Sequence, residues 1–145
     1  MPKVTRWFIK AGMIYLMLAF LLILAESVPG FETGISLLPV YWHMMAVGWI
    51  TQIIIGVSVW MFPRKGRGKR PENPVLPMIV FWLLNTGLIL RFITEPFPGL
   101  IEGSATMKLI VAGSVILQVG AIGCYIAEIW PRIRPRKIKS KNAHA

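Results

Sequence analysis

LLPVYWHMMAVGWITQIIIGVSVWMFPR, residues 37–64, runs almost without a charge from Pro39 at its entry to a Pro63-Arg64 stop. The apolar run exceeds the ~20 residues that a helix needs to cross a bilayer core, so it reads as a membrane-spanning helix. Its first third carries His43, the only histidine apart from His144 in the C-terminal tail. An ionisable or metal-binding side chain inside a span is costly, which makes His43 a functional candidate to be weighed against plain burial.

Outward from this stretch, the whole chain has the same character. It has 145 residues, 55% of them hydrophobic, and a mean hydropathy of +0.63, too apolar for a soluble domain of this size. Four spans are expected, at residues 7–25, 37–62, 75–93 and 107–130. They make residues 1–130 an all-α, integral membrane four-helix bundle, followed by a basic tail at 131–145. The start, MPKVTRWFIK and an apolar run, has some features of a secretory signal. Ala25-Glu26-Ser27 is a poor cleavage site, however, and the segment is taken as the first span.

The net charge of +10 has a topological explanation. Lys3, Arg6 and Lys10 precede the first span. Arg64, Lys65, Arg67, Lys69 and Arg70 separate the second and third, and Arg132, Arg134, Arg136, Lys137, Lys139 and Lys141 follow the fourth. The other two connections carry only Arg91 and Lys108 at their borders, with Glu26, Glu32, Glu95 and Glu102. Positive residues stay inside, so both termini are expected in the cytoplasm, with the bilayer as the first partner and no role in binding nucleic acid. Cys124, the single cysteine, excludes an internal disulfide, a cysteine-based zinc site and haem attachment through a cysteine pair. In its apolar context it reads as a packing residue.

At ~100° per residue, His43 aligns with Val47, Ile50, Ile54, Val57 and Met61, and Met45, Gly48, Gln52 and Gly56 lie nearly opposite. Small residues admit a close neighbour and amides bond across, so the Gly48/Gln52/Gly56 side is expected against another helix. His43 is then expected to face elsewhere: a second gap in the bundle, a cofactor or another subunit. Gln52, Asn85 and Gln118 lie at similar depths and are expected to form one interhelical hydrogen-bond cluster. Tyr15, Met13 and Met17 read as space-filling. The fourth span carries a small stripe, Gly113, Gly120, Cys124 and Ala127, and Glu128 can pair with Arg132.

The chemical candidates are His43 and Arg91, which the topology puts at one depth near the outer face. An imidazole suits the iron of haem b and a guanidinium suits its propionates. Equally, His43 reads as a hydrogen-bonded structural residue, and Arg91 as a snorkelling side chain or a partner of Glu95 at i+4. A third reading makes His43 a copper ligand beside the soft thioethers of Met44 and Met45.

WHMMAVGWITQIIIGVSVWMFPR, with FWLLNTGLILR in the third span, resembles the first four helices of subunit I of the haem-copper (cytochrome c) oxidases. It resembles more closely the small four-helix membrane proteins similar to that region, in which a histidine six residues before a Gly-Trp tryptophan opens the second helix; His43 and Trp49 have that spacing. The resemblance spans most of residues 7–130. It implies that His43 takes the place of the low-spin haem ligand, in a multi-pass protein of the bacterial inner (plasma) membrane serving electron transfer or sensing. Some small relatives carry a second histidine two residues earlier, where this chain has Tyr41. The further histidines of an oxidase centre are absent, so the resemblance does not extend to oxygen reduction by this chain alone. A second axial ligand would come from a partner or from a symmetric homodimer, unless the haem is five-coordinate. The alternative is a non-catalytic scaffold or assembly subunit of a larger respiratory complex, with its glycines and amides serving helix contacts.

Overall fold

Each apolar run forms a helix in the computed structural model, which describes residues 1–28, 37–62 and 75–133, the side chain of Leu100 excepted. The loop at 29–36, the basic connection at 63–74 and the tail from residue 134, His144 included, lie outside the described residues. Helix α1 is Lys3–Glu26, α2 is Leu38–Met61 and α3 is Val75–Thr94. A short helix, α4 (Pro98–Gly103), leads into α5 (Ala105–Ile129), which ends in a 3-10 turn, Trp130–Arg132. No strand is present among the described residues. Four of these helices are long and apolar enough to cross a membrane; the 24 residues of α1 alone extend about 36 Å.

Breakers set the ends. Pro39 sits in the first turn of α2 and Pro77 in that of α3, where a missing N–H costs little. Beyond α3, Glu95 donates its N–H to the Arg91 carbonyl at 2.8 Å, and then Pro96 and Pro98 stop the helix and start α4.

Glycines set the pairing. A Cβ on Gly48 would stand 2.7 Å from Tyr15 Cγ and one on Gly56 would stand 2.8 Å from Phe8 Cβ, so α1 and α2 touch nearly backbone to backbone. The expected packing of the Gly48/Gln52/Gly56 side is therefore observed. In the same way, a Cβ on Gly87 would meet Gln118 Cγ at 2.9 Å and the Ser114 carbonyl at 3.0 Å, which seats α3 on α5. The two hairpins, α1–α2 and α3–α5, join through Phe8, Ile55, Val80, Leu84, Leu88 and Ala121, all buried. Phe81 meets Phe8 edge-on and Trp7 at a tilt of 53°, and Tyr15 meets Phe92.

Around this narrow core the surface is apolar. Leu24, Ile54, Ile116 and Val119 are all more than half exposed, as lipid-facing residues are and as a water-soluble bundle would avoid. Trp7, Trp60 and Trp130 stand exposed at one end, where α1 begins and α2 and α5 finish, and Trp42 at the other.

Helix α2 is not α-helical throughout. Between the α segments Leu38–His43 and Gln52–Met61 lies a π-helical segment, Met44–Thr51, in which Thr51 Oγ1 donates to the Ala46 carbonyl five residues back at 2.8 Å. An i→i+5 pattern takes roughly one extra residue into the turn.

Candidate functional site where the start of α2 meets the end of α3

His43 and Gln52 are nine residues apart and, on an uninterrupted α-helix, would project on nearly opposite sides. In the structure both meet α3. Gln52 Nε2 donates to Asn85 Oδ1 at 3.0 Å, and His43 Nδ1 stands 3.0 Å from Glu95 Oε2 just beyond the helix end. The extra residue of the π segment removes about 100° from the angle between them and so turns His43 toward α3. His43 thus faces the end of α3 within the same chain, away from the Gly48/Gly56 contact with α1 and in a second gap of the bundle, one of the directions left open; what differs is that Gln52 meets α3 as well.

Two oxygens converge on His43 Nδ1. The Pro39 carbonyl, one turn back, accepts from it at 3.0 Å, and Glu95 Oε2 stands beside that bond at an equal 3.0 Å, off the N–H axis. With an acceptor oxygen on its axis and a carboxylate oxygen beside it, Nδ1 is the ring nitrogen that this geometry suits to carry a proton. Nε2 then has the lone pair, and it has no partner among the described residues. The histidine side chain is 27% exposed and Glu95 only 10%, so the ring is anchored on one side and open on the other.

Arg91 completes the group. Its Nη1 donates to Glu95 Oε1 at 2.6 Å, the i+4 pairing that the sequence allows. The carboxylate therefore bridges a guanidinium and an imidazole. Nε of Arg91 is buried with no acceptor among the described residues. The sequence reading singled out His43 and Arg91 and placed them at one depth, and the structure joins both through Glu95. Glu95 was noted only as a partner for Arg91. Its place between the helix end and Pro96 gives no sign that it also reaches α2.

Met44, one residue on, is buried with Ala19 and Val40, and Met45 packs against the same cluster. Among the described residues no three or more of His, Cys, Asp and Glu gather in a way that would hold a metal ion. His43 is thus the one side-chain nitrogen that the site offers to a metal.

Deeper in the bundle the amide cluster has a different membership from the one expected. Asn85 Oδ1 accepts from Tyr15 O–H and Gln52 Nε2, both at 3.0 Å, and Asn85 Nδ2 donates to the Phe81 carbonyl at 2.7 Å. Gln118 is not part of it; its chain lies across Gly87 and its Nε2 is buried without an acceptor. Tyr15, taken as a space-filler, holds the place instead. Toward the other end, Ser58 Oγ and Tyr125 OH are 2.9 Å apart, and Arg132 pairs with Glu128 and reaches the Val59 carbonyl.

The chain was compared with known protein families, curated proteins and solved structures, and nothing matches it. Fold and site therefore rest on the chain's own geometry, and the resemblance to oxidase subunit I carries forward as a proposal.

Proposed function

We propose that the chain is a multi-pass protein of the bacterial inner membrane, with both termini cytoplasmic, that binds b-type haem through His43 near the outer face and serves electron transfer or sensing. The observation that carries this reading is the state of His43: Nδ1 bonded to the Pro39 carbonyl with Glu95 beside it, Nε2 without a partner among the described residues, and the ring partly open. Metal-ligating histidines are held in this way, the distal nitrogen donating to a carbonyl or carboxylate and the near one left for the metal. A histidine serving structure alone has more to gain from engaging both nitrogens in a span.

The residues fit the group in a limited sense. His43 would supply one nitrogen to the iron, and the Arg91 guanidinium, paired with Glu95, would supply positive charge for a propionate. Haem, when bound, supplies one-electron chemistry or a gas-binding iron. The chain's own work is to hold the imidazole in one orientation, to set the charge beside it and to keep the surroundings apolar. The second axial position is left to a homodimer partner, another membrane subunit or an exchangeable ligand.

The experiment is the visible spectrum of the detergent-purified protein, oxidised and dithionite-reduced, beside His43→Ala. A sharp reduced b-type band in the wild type, absent from the variant, is the expected result. A colourless wild type that also fails to take up added haem overturns the reading.

One observation favours the second reading, a scaffold or assembly subunit. A Cβ added to Gly113, Gly120 or Gly123 of α5 would meet nothing within 4 Å, so these glycines, each costing helix stability, serve no close contact among the described residues. A stoichiometric membrane partner in a colourless preparation would put this reading first.

A further inference from the structure

Glu95 lies at the centre of the outer site, and neither the fold nor the packing requires it there. Its backbone closes a last turn on α3, which any residue except proline could do. Its carboxylate is turned inward to 10% exposure, at a membrane face where it could have reached water. Inward, one oxygen is taken by Arg91 Nη1 at 2.6 Å, and the other is left at 3.0 Å from His43 Nδ1 without an aligned donor of its own. A carboxylate gives up hydration for such a position only where it meets positive or proton-bearing groups.

The second acceptor on Nδ1 does not make Glu95 redundant. The helical ladder assigns the Pro39 carbonyl to the His43 backbone amide, so the imidazole shares an oxygen already engaged. A shared carbonyl is the weaker acceptor, and the ionised oxygen beside it the stronger. An isolated imidazole in water prefers to carry its proton on Nε2, which would block that atom as a ligand. In a ring protonated on Nε2, the Nδ1 lone pair would point at the carbonyl with the carboxylate oxygen close beside it, and both would repel it.

We infer that Glu95, held in place by Arg91, is the positioning residue that fixes His43 in the Nδ1–H tautomer and presents Nε2 to a metal centre at the outer face. The inference rests on the haem reading for the identity of that centre, and on the geometry of the three side chains for the rest. Arg91 then acts on the site through Glu95, by aiming the carboxylate, as well as by facing a propionate. The paired charges Arg91⁺ and Glu95⁻ nearly cancel, so the group to be bound meets a neutral imidazole in a site of little net charge. That suits the iron of a haem better than a bare divalent cation, for which a free carboxylate would be the natural co-ligand.

The test uses full-length protein labelled with ¹⁵N-histidine in detergent or nanodiscs, and needs no haem for its first reading. The chain has two histidines, so His43→Ala assigns the signals. The wild type is expected to show His43 with a protonated Nδ1 and a bare, pyridine-type Nε2. Glu95→Ala is expected to release the ring to a mixture rich in the Nε2–H form. Glu95→Gln, nearly isosteric and the safer variant for folding, keeps an acceptor oxygen and is expected to retain the tautomer but lose the charge. With haem added, Glu95→Ala is expected to bind on the order of 10 to 100-fold more weakly, the usual cost of losing such a support. Glu95→Gln is expected to bind with a raised midpoint potential, since a carboxylate at Nδ1 favours the more highly charged ferric iron. A tenfold selective loss of ferric binding corresponds to about 59 mV for one electron.

A wild type in which Nε2 carries the proton, or a Glu95→Ala protein with an unchanged tautomer and haem affinity, overturns the inference. A wild type with the Nδ1–H tautomer, lost in Glu95→Ala, that takes up no haem overturns the haem reading alone and upholds Glu95 as the positioning residue of His43.

Discussion

Asn85 shows what a single polar residue does in this bundle. One oxygen, Oδ1, accepts from α1 through Tyr15 and from α2 through Gln52, so three helices meet at one atom. In a bilayer core there is no water to replace it, and Asn85→Leu would leave a buried amide and a hydroxyl without an acceptor. The expected cost is about 1–2 kcal/mol, whereas Tyr15→Phe, which removes one bond and leaves no orphan donor, should cost about 0.6 kcal/mol, near the average for interhelical hydrogen bonds in membranes. Reversible unfolding of the detergent-solubilised variants reads both, and equal losses would show that Asn85 is not the shared acceptor. At this scale the sequence was informative for type and less so for partners. Asn85 and Gln52 stand out as amides in apolar runs and do pair. Tyr15 did not stand out, because a phenol in an apolar helix has the composition of packing until its hydroxyl is seen to be aimed.

Helix α2 carries the largest difference between sequence and structure at the scale of an element. Its ends and its length as a span were legible from Pro39, Pro63 and the apolar run between them, and the close face was legible from the spacing of Gly48 and Gly56. The direction of His43 was not legible, because a helical wheel assumes 3.6 residues per turn and Met44–Thr51 does not obey it. No proline, and no glycine other than Gly48, lies within those eight residues to announce the change. Packing supplies the reason: with Gly48 fixed against Tyr15 and Gln52 against Asn85, an extra residue lets Val40 and Met44 reach Ala19 and lets His43 reach Glu95. Deleting Ala46, an exposed residue of the π segment, should restore regular α-helix, and the choice is between the two halves. The lower half is held by Gln52 and Gly56, so the His43 end should rotate by about 100° away from Glu95. The deletion variant is expected to fold with unchanged helix content by circular dichroism and to lose the Nδ1–H tautomer. Retention of that tautomer would mean that the π segment does not set the direction of His43.

The whole molecule is fastened unevenly. On one side, α1 and α3 close through Trp7, Phe8, Phe81, Tyr15 and Phe92. On the other, α2 and α5 are tied at the Trp60 end by Ser58, Tyr125 and Arg132, and above that tie they part. A cleft of about 530 Å³ opens there, lined by Val47, Thr51, Leu84, Gln118, Ile122 and Ile126 among others. Each hairpin, by contrast, has its own glycine-mediated seam, and between the hairpins the apolar core is supplemented by a few side-chain hydrogen bonds. Two pairs that are each nearly complete need not be made as one polypeptide. Membrane helices can insert first and associate afterwards, so a gene divided in the connection between α2 and α3 should yield two fragments, each inserting as a hairpin and recognising the other through Asn85 and its donors. Co-expressed fragments that co-purify, and that separate when Asn85 is replaced by Leu, would show the bundle to be a dimer of hairpins whose apolar seam needs that amide to hold, with the peptide link between them a convenience of synthesis.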